Sequence, residues 1–507
     1  MDRLVKKYIL LVCLFIFGLV AFSQYPNSSV KSSAPSISTP WLSKPNRKSL
    51  QLDRTAPDIK CTQKTCTADS QNKESLPTES TPDHLAFVKT IPDIIGVDQQ
   101  EAIQNASYPN KHSMFVESNT LCAQTIQGTI PTSALRKGYV VKNYPAAQIN
   151  SVTGLYERSP PQRLNSTITR ENISSSLMAQ LKKYIPHIWR TYTPFTDTYR
   201  NPCRVSPTSV YCLPYFYVLT GAKSGSTDFW YSLELHPMIY STPKEPHWWT
   251  RKTKHEIARY DRFYKKFEQC VRTDTDPNIH NYITGDGSTS TLWDNHLTIQ
   301  WSKMNQMKQY IPFTLSDVIG ALTPNARIIF LLRNPINRLY SDYWYIYGGK
   351  SPQDFDLKIR AHLKIFRECL NTADDRTCAY RLNNGGAGHS ALVGLYIIYV
   401  RDWLRRFPTD QVLFLRSDDW FEGQKPDILL KTYHFLDIDV TKEQMKDILT
   451  VDTGKIKIGG ETVLRSSGKK KRHPMMASTK KLLQELYAPY NKELVELTGH
   501  DGFLWED

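Results

Sequence analysis

The sequence predicts an α/β chain in which a P-loop-like central parallel sheet, flanked by helices, occupies residues 203–507. Three observations carry this expectation. Compact apolar runs at 215–221 (YFYVLTG), 327–332 (RIIFLL) and 411–415 (QVLFL) each stop at a polar turn, as strands buried on both faces do. Segments 391–407 (ALVGLYIIYVRDWLRRF) and 479–499 (TKKLLQELYAPYNKELVELTG) repeat apolar residues every three or four positions, the pattern of helices that cover a sheet. The first run opens directly into a glycine-containing turn and then a stretch with helical spacing, FWYSLEL.

Taken in order from the N-terminus, residues 8–22 (YILLVCLFIFGLVAF) follow Arg3, Lys6 and Lys7 and form an apolar segment shorter than the roughly 20 residues that span an average bilayer. Two readings stand. In one, residues 1–22 are a cytoplasmic tip and uncleaved signal-anchor, giving a single-pass type II protein; in the other, a signal peptide is cleaved near Ala21-Phe22-Ser23 and the chain is secreted. Both deliver the remainder to a lumen. Residues 23–82, dominated by Ser, Thr, Pro, Lys and Gln, read as a flexible stem. Residues 83–202 read as an accessory lumenal region with short apolar runs and one helical segment, SSLMAQLKKYIPHIW, interrupted at Pro186.

Composition narrows the function. With 40% hydrophobic and 11% aromatic residues the chain is not disordered throughout, and 64 Lys and Arg against 49 Asp and Glu leave a net charge of +15. Such a surplus implies an anionic partner: nucleic acid, an acidic membrane, a polyanionic glycan or a phosphorylated cofactor. Lumenal routing disfavours nucleic acid. The surplus is concentrated, with nine Lys and Arg against four acids over 244–272 and seven against one over 455–472. Eight cysteines lie beyond the apolar segment, and Cys61 with Cys66, Cys203 with Cys212 and Cys369 with Cys378 are close in sequence without zinc-type spacing, which suits local disulfides in an oxidising lumen. Sequons at Asn27, Asn105, Asn165 and Asn172 fit the same compartment.

Two motifs bear on chemistry. Gly221-Ala222-Lys223-Ser224-Gly225-Ser226-Thr227 lies between a strand and a helix start, where backbone N–H groups and the helix dipole cradle an anion. It is not a Walker A loop, because Lys223 precedes Gly225 instead of following it. In RIIFLLRNPINRLYSDYWY, Arg333 leaves a strand end and Ser341 follows eight residues later, an arrangement suited to a second phosphate.

Together these motifs resemble those of the Golgi carbohydrate sulfotransferases, which use 3′-phosphoadenosine-5′-phosphosulfate (PAPS). KEPHWWTRK (244–252), STLWDN (290–295), LTPNARIIFLLRNP (322–335) and VGLYIIYVRDWL (393–404) resemble in particular the N-acetylgalactosamine 4-sulfate 6-O-sulfotransferases. The resemblance covers about 203–507. It implies a sulfotransferase fold, PAPS as donor, a glycosaminoglycan acceptor of chondroitin or dermatan sulfate type, a Golgi location and no metal. It places Lys223, Ser224, Gly225, Ser226 and Thr227 on the 5′-phosphosulfate, Arg333 and Ser341 on the 3′-phosphate, and Lys469, Lys470, Lys471 and Arg472 in a late basic loop over the nucleotide. Lys223 then neutralises charge on the leaving phosphate, and Glu245 occupies the place of the general base, with His247 as the alternative base or an acceptor-orienting group. Asp286 and Ser288 fall near the acceptor side, but Gly287 stands where some relatives carry lysine, and an Asp/Gly turn is the competing reading. Cys369 and Cys378 match a close-spaced pair in the family.

Other classes leave weaker traces. Asp274-Thr275-Asp276 is a DxD triplet of the kind metal-dependent glycosyltransferases use, within a loop-like stretch, and His255-Glu256 fails as a zincin start because Arg259 stands where histidine is needed. Transfer to heparan sulfate, and a non-catalytic protein that binds sulfated glycans, are the remaining alternatives.

Overall fold

Cys203–Val205 (β1) and Val210–Cys212 (β2) pair antiparallel, and a Cys203–Cys212 disulfide crosses this hairpin as expected. In the computed structural model of the chain, residues 148–506 are described, apart from 152, 159–161, 163, 166–167, 187–194, 208–209, 252–260, 274–277, 308–309, 384–388, 452–454, 459–460 and 465–472. The signal segment, the stem, Cys61, Cys66, Cys122, Asn27 and Asn105 lie outside the described residues, as do His255-Glu256, the DxD triplet and Lys469–Arg472. All described residues belong to one compact unit, Asp83–Asp507.

The principal sheet is parallel and four-stranded. Its strands are Phe216–Leu219 (β3), Gly285–Asp286 (β4), Arg327–Leu332 (β5) and Val412–Arg416 (β6), in the spatial order β4-β3-β5-β6. The three apolar runs are three of these strands. The fourth, two residues of Gly and Asp, carries no apolar signal and could not be read from pattern. The helices used below are Ser175–Tyr184 (α1), Ser226–Leu233 (α2), Trp248–Arg251 (α3), His296–Met304 (α4), Leu315–Leu322 (α5), Pro335–Tyr345 (α6), Pro352–Leu370 (α7), Asp375–Leu382 (α8), Tyr396–Leu404 (α9), Ser417–Phe421 (α10), Lys425–Phe435 (α11) and Ala477–Thr498 (α12).

Side chains on a strand alternate between faces, and β5 shows what that does here. Ile328, Phe330 and Leu332 join Tyr217, Leu219 and Phe414 in a core covered by α5, α9 and α12, whereas Ile329 and Leu331 join Phe216, Val218 and Leu413 in a core covered by α2 and α11. Phe330 and Phe414 are register partners and stack at 4.6 Å, a pair that adds about 0.5–1.5 kcal/mol beyond the area it buries. Both faces are therefore dry, which is why the strands read as continuous apolar runs. Residues ahead of the sheet also reach these cores: Tyr156 packs into one, and Leu181 and Tyr184 of α1 into the other.

One segment differs from expectation at its edge. Residues 389–394 form a 3-10 turn before α9, so the α-helix begins at Tyr396 and not near Ala391. The Cys369–Cys378 disulfide staples the end of α7 to α8, ahead of that turn, as the family pattern implies. Cys270, left open by its spacing, is disulfide-bonded too.

Strand register brings the site together. Tyr217 pairs with Asp286, Leu219 with Phe330 and Leu332 with Arg416, so the C-terminal ends of all four strands open onto one edge. Ligands of open α/β sheets bind outside that edge.

Candidate active site

The loop after β3 is held from three sides. Thr220 Oγ1 donates to the Leu331 carbonyl at 2.6 Å, Ser417 Oγ to the Ser224 carbonyl at 2.7 Å, and Arg333 Nη1 to the Lys223 carbonyl at 2.7 Å. Lys223 and Gly225 both adopt left-handed backbone, at φ 71° and 75°. Glycine is required at 225, because a Cβ there would stand 2.6 Å from the Phe421 ring in addition to the strain of positive φ. Gly225 stands at the N-cap of α2 and has no side chain to bond the helix's first turn, the kind of helix start at which an anion binds. Ser224 Oγ is buried and finds no hydrogen-bond partner among the described residues, an unsatisfied hydroxyl of the kind a bound phosphate oxygen satisfies.

The two phosphate-type cations each rest on an exposed aromatic ring. Lys223 Nζ lies 3.3 Å from the centroid of Tyr345, and the Arg333 guanidinium 5.0 Å from that of Phe421. Ser341 sits buried on α6, one turn before Tyr345, so the second motif reaches the first through the helix as well as through Arg333. Beneath the loop, fully buried Arg338 contacts Asp342 at 3.4 Å and donates to the Ser390 carbonyl at 2.5 Å. Burial pushes the Asp342 carboxyl up, against the pull of Arg338. Tyr340 donates to the carbonyl of His473 at 2.7 Å, which places the residue immediately after the basic run 469–472 beside α6.

Glu245 and His247 occupy the neighbouring strand end. Both hold left-handed φ values, 59° and 49°, a backbone state that costs a non-glycine residue about 1–3 kcal/mol and persists only where the surroundings enforce it. For His247 the enforcement is visible: the Ser288 hydroxyl accepts from its N–H at 3.0 Å, and Asp286 Oδ1 accepts from the Ser288 N–H at 2.8 Å. His247 Nδ1 bonds Ser290 Oγ at 2.7 Å, with Thr250 Oγ1 on the same hydroxyl at 2.6 Å, while Nε2 lies 3.6 Å from Glu245 Oε2. Glu245 Oε1 contacts the Lys244 ammonium directly. Burial raises the Glu245 carboxyl, but Lys244 and His247 outweigh it and hold the group down at about 2.

The Asp286-Gly287-Ser288 turn thus serves the site through His247, a link across 41 residues that no local pattern shows. Gly287 has its own explanation: a Cβ there would lie 2.5 Å from the Trp230 ring, so the indole fills the space a longer side chain would take. Glu234 is a residue that sequence reasoning missed. At the end of α2 it accepts from the Thr242 N–H at 2.8 Å, and Thr242 Oγ1 donates to the Gly285 carbonyl at 3.1 Å, so one carboxylate ties the loop helix to the approach to Glu245 and to β4. Burial pushes Glu234 up to about 8. Among the described residues no group of three or more His, Cys, Asp or Glu is placed to hold a metal ion.

The family model described as sulfotransferase domain matches residues 215–452. Carbohydrate sulfotransferase 15 of Mus musculus is 32% identical over 319 residues, covering 58% of this chain and 55% of that protein. Heparan sulfate glucosamine 3-O-sulfotransferase 6 of Homo sapiens is 24% identical over 298 residues, covering 57% of this chain and 72% of that protein. A solved sulfotransferase from Alicyclobacillus acidocaldarius overlaps 59% of this chain and 98% of its own at 19% identity and a TM-score of 0.34. The chain matches little more than half the length of the first of these relatives.

Proposed function

Residues 215–452 are a sulfotransferase domain, and on that premise we propose that the protein moves a sulfuryl group from PAPS to a sugar hydroxyl, specifically the 6-hydroxyl of N-acetylgalactosamine 4-sulfate in chondroitin or dermatan sulfate. The observation that carries the reading is convergence on one sheet edge: a loop with an orphaned buried hydroxyl and a gripped lysine, and near it a carboxylate flanked by Lys244 and by a histidine that a chain of hydroxyls fixes. The choice of acceptor rests on KEPHWWTRK and the other stretches that resemble the 6-O-sulfotransferases, and on the 32% identity to carbohydrate sulfotransferase 15.

PAPS supplies the sulfuryl group when it is bound. The chain's own residues do the rest. Loop N–H groups with Ser224, Ser226 and Thr227 hold the 5′-phosphate end, Arg333 and Ser341 hold the 3′-phosphate, Lys469, Lys470, Lys471 and Arg472 close over the nucleotide, and Lys223 balances negative charge on the leaving side. Glu245 takes the acceptor proton. His247 orients it: with Nδ1 on Ser290 and Nε2 toward Glu245, both ring nitrogens are engaged within the site. The Cys203–Cys212 and Cys369–Cys378 disulfides support a lumenal, Golgi-type compartment, reached through the N-terminal apolar segment acting as a membrane anchor.

Incubating the full-length protein with radiolabelled PAPS and a panel of desulfated chondroitin, chondroitin 4-sulfate and heparan sulfate tests the reading. Label on chondroitin 4-sulfate alone supports it. Label on heparan sulfate alone moves the protein to the 3-O-sulfotransferase side of its relatives, and no label on any glycan removes the enzymatic reading.

A further inference from the structure

The geometry points to Tyr345 as a positioning residue for Lys223, its ring face holding the lysine ammonium at the mouth of the phosphate loop. This inference rests on the PAPS reading above and assigns a role to a residue at the end of the second motif to which the motif itself gave none.

Tyr345 is the last residue of α6 and 54% exposed, so the hydrophobic effect gives it no reason to be where it is. It stands four residues after Ser341, which puts the two on the same helix face one turn apart. Its ring centre is 3.3 Å from Lys223 Nζ, a contact in which the ammonium sits on the negative face of the π system. The backbone of the same lysine is fixed independently by Arg333 at 2.7 Å and by its left-handed φ. A lysine side chain has rotamer entropy to lose on being fixed. With its main chain gripped on one side and its ammonium on the other, Lys223 arrives with much of that loss already met.

The test separates ring from hydroxyl and from mere structure. PAP affinity of the purified full-length protein is measured by calorimetry for wild type, Y345F, Y345L, K223M and K223M/Y345L, with transfer rates alongside. Expected is a loss of PAP affinity of about three- to tenfold for Y345L, the range of one cation–π contact, a restored affinity for Y345F, which keeps the ring face, and no further loss on adding Y345L to K223M. The rate at saturating donor falls in the same order. Equal affinity for Y345L and wild type overturns the inference, as does the same loss in both lysine backgrounds, since Tyr345 would then act on something other than Lys223. Higher affinity or rate in Y345L also overturns it, because the ring would then be withholding the lysine. If wild-type protein binds no PAP, the PAPS reading itself falls, an outcome distinct from the others.

Discussion

Arg333 donates from Nη1 to the main-chain carbonyl of Lys223 at 2.7 Å, so the cation at the end of β5 also fixes the backbone of the loop after β3. The two motifs, 110 residues apart in sequence, form one mechanical unit. Arg333→Lys should therefore cost more than a charge-conserving change ordinarily does. A lysine keeps the charge, but it lacks the planar fork that bonds the loop with one N–H while offering others to an anion. The expected result is a loss of PAP affinity on the order of 10- to 100-fold by calorimetry, with the thermal midpoint shifted by only a few degrees. An unchanged affinity would mean that the contact to Lys223 is incidental.

On the proposed role of Glu245 as the base for the acceptor proton, Glu245→Gln should reduce transfer by at least about 100-fold while PAP binding stays within about twofold. Loss of PAP binding as well would sink the base assignment. His247→Asn should reduce the rate by about tenfold, less than the loss of the base itself; a larger loss than Glu245→Gln would make His247 the base. The stability signature of Glu245 follows from its depressed carboxyl. Held at about 2 against an ordinary 4.5, it contributes stability that is complete above pH 4.5 and is lost as pH falls towards 2. Acid unfolding followed between those values should be less steep in Glu245→Gln than in wild type, by at most about 3 kcal/mol.

Glu234 titrates in the opposite sense. Its carboxyl is raised to about 8 by burial, so the neutral form is the folded form's preference, and stability is complete below the ordinary value of 4.5 and erodes as pH rises towards 8. Glu234→Gln keeps an oxygen to accept from the Thr242 N–H and removes the titration. The variant should match wild type in thermal midpoint near pH 4.5 and exceed it near pH 8, with a slope difference of at most about 1.4 kcal/mol per pH unit. Identical pH profiles would show that Glu234 is already ionised and paired in the folded protein.

These residues mark how far the sequence could be read. β3, β5 and β6 were legible because burial on both faces leaves a continuous apolar run, Lys223 and Arg333 because each stands just past the end of such a run, and Glu245 only through the family resemblance of KEPHWWTRK. β4 was not, since two residues of Gly and Asp hold their place through pairing with Phe216 and Tyr217 and through nothing in their own composition. The Ser288–His247 bond, the Ser417–Ser224 bond and the Tyr345–Lys223 contact were hidden for one reason. Each joins segments whose approach is decided by strand order and helix packing, and a serine or tyrosine looks the same in sequence whether it faces water or a partner. Gly287 is the instructive middle case: its departure from the lysine of some relatives was visible, but the Trp230 ring that accounts for it was not.

Gly225 allows two costs to be told apart. Alanine at this position meets positive φ, which is strained wherever the loop sits, and also the Phe421 ring 2.6 Å from the new Cβ. The ring belongs to an exposed side chain on α10, so it can move aside, whereas the φ cannot change without redirecting the N–H groups at the start of α2. Gly225→Ala should therefore weaken PAP binding by at least about tenfold, and adding Phe421→Leu should recover only a minor part of the loss. If the double variant instead returns to wild-type affinity, the clash with Phe421 was the whole cost, and the loop can open its N–H groups to an anion without a left-handed residue at 225.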